Sequence, residues 1–141
     1  MNSLKVIVAG SRTFNYPELL DKVLTQYRLF HFNFTELIHG GARGADTLAM
    51  LWAEKNEIPV RCFPADWDKY GKKAGYIRNK QMAEYGEILI AFWDGQSKGT
   101  RMMIELAKEH NVNVIIVKYA WDELKGKAIV TSYSNQLTPA Q

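Results

Sequence analysis

Short apolar runs rich in β-branched residues alternate along the chain with longer stretches in which apolar positions recur every three or four residues. LKVIVA (4–9) is a run of the first kind and stops at Gly10, as a buried parallel strand should. Pro17 then opens a helical stretch to about Phe30, with Leu19, Leu20, Val23, Leu24 and Tyr27 on one face. TELIH (35–39) is a second strand, and the stretch after Gly44 is helical to about Asn56, with Leu48, Leu51 and Trp52 spaced for one face. PVRCF (59–63) is a third strand. The long loop PADWDKYGKKAG leads to a helix from about Tyr76 to Tyr85, EILIAFW (87–93) is a fourth strand, Thr100 to Glu109 a helix, and VNVIIVK (112–118) a fifth strand. Beyond Tyr119 the pattern is less regular: KAIVTSY is a candidate edge strand and SNQLTPAQ reads as a loose tail.

Strands alternating with helices imply right-handed crossovers and a mainly parallel α/β sheet of five or six strands, covered on both faces. A chain of 141 residues is expected to be one domain (1–141), with its core at about 4–118 and a less regular tail at 119–141. The 47% hydrophobic and 23% charged fractions are those of an ordinary globular protein, and no apolar run is long enough to span a bilayer. The first ten residues read as a strand rather than a secretory signal, because a glycine loop and Arg12 follow where a cleavage site would stand. The single cysteine, Cys62, suits a reducing cytoplasm and is expected to be a buried strand residue. A net charge of +3, from 18 basic and 15 acidic residues, is too mild to argue for a nucleic-acid partner.

In an open α/β sheet, ligands bind at the carboxyl ends of the strands, and the unusual residues lie there. GSRTF (10–14), HGGARGAD (39–46), PADWDKYGKKAGYIRN (64–79) and DGQSKGT (94–100) follow the first four strands and are expected to converge on one rim. Glycines without a Cβ let backbone N–H groups approach an anion, and a following helix N-terminus adds partial positive charge. Gly40, Gly41 and Gly44 therefore read as a phosphate cradle, or simply as a tight turn from strand to helix. Asp46 reads as a helix cap or as a partner for a ribose hydroxyl. Gly99 and Thr100 repeat the device after the fourth strand. Neither loop has Walker A or GxGxxG spacing. Lys69, Lys72, Lys73, Arg78 and Lys80 cluster near Trp67, Tyr70 and Tyr76, an arrangement that suits base stacking beside phosphates or a solvated helix start. Trp52 and Trp93 adjoin core runs and read as packing. His39 reads as a strand-end hydrogen-bond partner beside the glycine loop. His31 and His110 lack partners at ligand spacing, so no metal site and no cofactor is expected.

The four loops in this order, with ADWDKYGKKAGYIRNKQM and LIAFWDGQSKGTRMMI, resemble the YspA-type branch of the SLOG superfamily from about residue 5 to residue 110. That superfamily also contains the LOG-type nucleoside monophosphate phosphoribohydrolases and the DprA/Smf proteins. The resemblance implies a Rossmann-like three-layer fold that holds a nucleotide-type ligand. Its first loop would be Gly10, Ser11 and Arg12, and its second Gly40, Gly41, Gly44 and Asp46; Arg43, in the same loop, is also expected to bind the ligand. Arg78, Gly99 and Thr100 would complete what the resemblance implies, and Trp67, Tyr76 and Asn79 beside them are expected ligand-binding residues. Arg78 resembles the arginine of the LOG RKxxM element, and Gly99 and Thr100 resemble the glycine and threonine of GGxGTxxE. Where that family carries its catalytic glutamate, this chain has Arg101, Met102 and Met103, and its first acid is Glu105.

Cleavage of an N-glycosidic bond passes through a cationic sugar and calls for a carboxylate. Asp94 is the preferred substitute, as a strand-end acid pointing into the crevice or equally as a turn residue; Asp66, Asp68 and Glu105 are the alternatives, Glu105 reading as a surface residue. Two functions follow: a module that senses or sequesters a nucleotide or ADP-ribose-like ligand, and a hydrolase of a nucleotide's N-glycosidic or phosphate-linked bond with Arg78 and Asp94 as catalytic residues. Superfamily relatives commonly dimerise, so a homodimer or higher homo-oligomer is a further expectation.

Overall fold

A computed structural model describes residues 3–136. Its six strands lie in one sheet in the order β3-β2-β1-β4-β5-β6, where β1 is Leu4–Gly10, β2 Phe34–His39, β3 Val60–Cys62, β4 Ile88–Trp93, β5 Asn113–Asp122 and β6 Lys127–Gln136. The first five run parallel, and β6 returns antiparallel on β5. The α/β class with a mainly parallel, Rossmann-like sheet is as the sequence pattern predicts.

The two-residue period of the strands sorts the core into two layers. Val6, Val8, Ile90, Phe92 and Ile115 face one side, under α1 (Pro17–Phe30) and α2 (Ala45–Lys55). Ile7, Ala9, Leu89, Ala91 and Val114 face the other, under α4 (Ala74–Tyr85) and α5 (Lys98–Glu109). Helix α1 begins where Pro17, with its fixed φ and missing N–H, suits a first turn, and it buries the five apolar residues that the spacing picked out. Truncating one of them, as in Leu24→Ala, would cost about 2–5 kcal/mol.

Three sequence expectations need correction. First, the chain from Tyr119 to Gln136 is regular: β5 continues to Asp122 and a tight hairpin leads into β6, so Ser134 to Gln136 of the expected tail belong to a strand. Residues 137–141 of that tail lie outside the described residues. The candidate edge strand KAIVTSY is thus the start of β6, which runs three residues further, to Gln136, against a β5 whose second half is largely exposed. Second, the long loop folds into α3 (Trp67–Tyr70) and a 3-10 turn at Gly71–Lys73 that runs into α4. Asp66 starts α3 by accepting a bond from the Lys69 amide at 3.1 Å, a capping signal that the glycines around it obscured. Third, Cys62 is exposed, because β3 is a three-residue strand at the sheet edge with little packed over it. No helix is long and apolar enough to cross a membrane among the described residues.

Candidate functional site

The chain leaves β1 for one face of the sheet and β4 for the other, so the loops after these neighbouring strands diverge and open a crevice at the point where the strand order reverses. The crevice has a volume of about 630 Å³. Gly10, Ser11 and Arg12 line it from β1, Asp46 from α2, and Trp67, Tyr76, Arg78 and Asn79 from α3 and α4. Asp94, Gly99 and Thr100 close it from the β4 side, over a floor of Met82, Met102 and Met103. A second chamber of about 300 Å³ adjoins it, lined by Gly40, Gly41, Arg43 and Pro64. Arg12, Ala42, Trp67 and Arg78 line both chambers. The residues that the sequence singled out as ligand-binding, with Asp94, are thus brought to this rim, and all but Gly44 line a chamber.

Gly44 serves the chain's own geometry. Its φ is +79°, and a Cβ there would collide with the carbonyl of Ser11. The loops after β1 and β2 touch backbone to backbone at this point, and Ser11 also accepts the Ala45 amide at 3.4 Å. Gly40 lies equally close to the Arg78 guanidinium, whose Nη1 donates to the Gly40 carbonyl. The Arg78 Nε donates to Asn79 Oδ1 at 2.8 Å, which fixes the plane of the guanidinium over the glycine loop.

Asp46 does not cap its helix, for Gly44 is the N-cap of α2. The Asp46 carboxylate reaches back and accepts the amides of Gly40 at 2.9 Å and Ala42 at 3.2 Å, both at Oδ2. It is a tie for the glycine loop. Burial raises its pKa from 3.8 to about 6, against the two amides and Arg78, which favour the charged form. His39 accepts the Gly41 amide at Nδ1, 2.9 Å, and burial together with Arg78 lowers its pKa, so it is a neutral strand-end acceptor.

Asp94 lines the crevice, yet its Oδ1 accepts the amides of both Gln96 and Ser97 at 2.8 Å. The turn role and the crevice position, weighed as alternatives in the sequence, coincide. Ser97, which sequence reasoning passed over, is the N-cap of α5 and accepts the Thr100 amide at 3.4 Å; a serine three residues before a threonine at a helix start was the available signal. The Thr100 hydroxyl, buried, bonds the Ser97 hydroxyl at 3.1 Å. The Ser11 hydroxyl turns onto its own loop, at 2.7 Å from the Thr13 hydroxyl.

Trp67 and Tyr76 are 52% and 43% exposed, so their rings are open to a stacking partner. Trp52 is buried in the core, and Trp93 packs against the other layer with Lys118 and Arg101 over its ring. Asp66, Asp68 and Glu105 are exposed and do not line the two chambers. Among the described residues no group of three or more His, Cys, Asp or Glu is placed to hold a metal ion.

The chemistry of the arrangement would suit an anion. It combines the N-terminus of a twelve-residue helix, a glycine loop and the cations Arg12, Lys72 and Arg78. Both of its carboxylates are already engaged by backbone N–H groups.

Comparison with known proteins bears on the family and the fold. A profile of the YspA, cpYpsA-related SLOG family matches residues 4–70. The Gene 61 protein of Mycobacterium phage D29 is 33% identical over 118 residues, which cover 79% of this chain and 94% of that protein. The X-ray structure of DNA processing protein A (DprA) from Streptococcus pneumoniae superposes with a TM-score of 0.68 at 20% identity over 88% of this chain. The chain spans about half of that structure's length, 53%, and the likeness is one of fold. The chain belongs to the YspA-related family of the SLOG superfamily.

Proposed function

We propose that the protein binds a nucleotide-type ligand across the C-terminal ends of β1, β2 and β4, and senses or sequesters it without turnover. The observation that carries this reading is the division of labour among the charged groups lining the crevice. The cations Arg12, Lys72 and Arg78 have no carboxylate within ion-pair distance among the described residues, where the one ion pair is Arg61 with Glu36 at 3.6 Å. The acids Asp46 and Asp94 hold backbone amides in place. Phosphates would meet Arg12, Arg78 and the α5 N-terminus, and a base would stack on Trp67 or Tyr76.

Hydrolysis needs a carboxylate that stabilises a cationic sugar or activates water. Met102 and Met103 line the crevice in the stretch after Thr100 and supply neither. For Asp94 to act, it would have to serve the reaction while still bracing the turn before α5.

The test incubates the protein with AMP, ADP-ribose, NAD and a cyclic dinucleotide, and follows thermal stabilisation together with product formation by chromatography. Stabilisation by at least one compound, with all recovered intact, is expected. Release of free base or ribose phosphate would replace this reading with the hydrolase, and loss of that release in Asp94→Asn and Arg78→Ala would identify its acid and its positioning cation. A single-stranded oligonucleotide belongs in the same panel: the mild net charge argues against nucleic acid, whereas the superposable structure is of a protein named for DNA processing.

A further inference from the structure

Apart from the crevice, the chain forms a second large concavity, and no residue lines both. It is a groove of about 720 Å³ between the first turns of α1 and the β5–β6 hairpin. One part of its wall is aromatic. Trp121 lies against Tyr16 with ring centroids 6.2 Å apart and planes at 30°, and Tyr16 stands edge-on to Phe14, which is buried. This stack ties the indole to the core, yet Trp121 is 50% exposed. Ile129 and Val130 extend the apolar wall along the start of β6, and Leu124 stands almost fully exposed at the hairpin tip. An exposed apolar patch rimmed by polar groups marks an interaction surface, and tryptophan held in place is the side chain most often found as its anchor.

The rim of the groove is basic. Lys22 comes from α1, and Lys125 and Lys127 come from the hairpin, so positive charge stands on both walls against one lining acid, Glu18. None of the three lysines has a carboxylate within ion-pair distance among the described residues. The hairpin acids do not offset them. Glu123 lies outside the lining, and Asp122 Oδ1 accepts the amides of Leu124 at 2.9 Å and Lys125 at 3.2 Å. Gly126, with φ +63°, completes the turn, which fixes the backbone that carries both hairpin lysines.

We propose that this groove docks an acidic segment of a partner protein, with an apolar side chain of the segment against Trp121 and its carboxylates at Lys22, Lys125 and Lys127. Charge complementarity selects this occupant. A nucleic-acid strand fits less well: the lining holds no arginine, whose planar fork suits phosphate, and Glu18 would repel one. A second copy of the chain seated through the same groove would set like charges against each other. The proposal is independent of what the crevice binds.

Fluorescence anisotropy of the full chain with short fluorescein-labelled peptides, in which glutamates flank a central tryptophan, phenylalanine or leucine, tests this. At least one is expected to bind, more weakly as salt rises, whereas its counterpart with lysines in place of the glutamates does not. The double charge reversal Lys125→Glu with Lys127→Glu, and separately Trp121→Ala, should each weaken binding at least about tenfold. Both hairpin lysines are exposed, so the charge reversal is read in a folded chain, checked by circular dichroism. Failure of every acidic peptide, equal binding of the lysine counterparts, or undiminished binding in the charge-reversed chain overturns the proposal. A single-stranded oligothymidylate that binds more tightly than the peptides, and is lost on charge reversal, overturns it in favour of a nucleic-acid groove.

Discussion

At Gly99, space and local propensity point in opposite directions. A Cβ built there meets nothing within 4 Å, and the residue sits in the first turn of a helix, where glycine is a poor choice. Replacing it with alanine should stabilise the free protein by up to about 1 kcal/mol, because less backbone entropy is lost on folding. The same methyl would stand in the crevice where a phosphate is to approach the helix N-terminus. Gly99→Ala is therefore expected to raise the melting temperature and to weaken ligand binding. A variant that gains stability and binds as tightly as the parent would show that no ligand comes close to Gly99.

Asp46 yields a prediction of pH dependence. Its folded-state pKa is raised, so its contribution to stability is fully present below about pH 4 and is lost as pH rises through about 6. At about 1.36 kcal/mol per pKa unit, the loss across that window approaches roughly 3 kcal/mol. In an Asp46→Asn variant the side-chain carbonyl can still accept the Gly40 and Ala42 amides, but the group cannot titrate. Urea unfolding at pH 4 and pH 7 should therefore show a smaller fall in stability for the variant than for the parent. An equal fall in both would assign the dependence to other groups. The sequence placed Asp46 at the site but not in this role, because a carboxylate's reach to residues four and six positions earlier depends on how the loop folds back.

Among the elements, helices and central strands were legible in full, whereas at the edges the strands were found but their lengths and burial were not. Burial on one face writes a period into a helix and burial on both faces writes an apolar run into a central strand, and α1 and β1 carry these plainly. β3 and β6 are edge strands, where one neighbour and one covering layer are missing, so apolar residues are not demanded at every other position. β6 nevertheless completes the sheet. It shields the outer edge of β5, from Val114 to Asp122, along the whole length of their pairing. A chain cut after Lys118, where the sequence pattern places the end of the core, would expose that edge. Loss of cooperative thermal unfolding and a rise in aggregation are expected, measured by circular dichroism and light scattering; a soluble truncated chain melting like the parent would show that the hairpin is dispensable.

For the whole molecule, the sequence by itself determined the alternation of strand and helix, the parallel sheet and the placing of glycine-rich loops at strand ends. These follow from local periodicity and from residues whose conformational freedom is a property of one position. Only the tertiary structure decided what the loops became. Sheet order put the ends of β1 and β4 side by side, and that adjacency opened the crevice. It brought Arg12 and Arg78 to one crevice across 66 residues of chain and gave the carboxylates of Asp46 and Asp94 backbone amides to hold. The physical reason is that electrostatic and hydrogen-bond partners are chosen by distance in space, and the local patterns that specify a helix or a strand carry no information about which ends will meet.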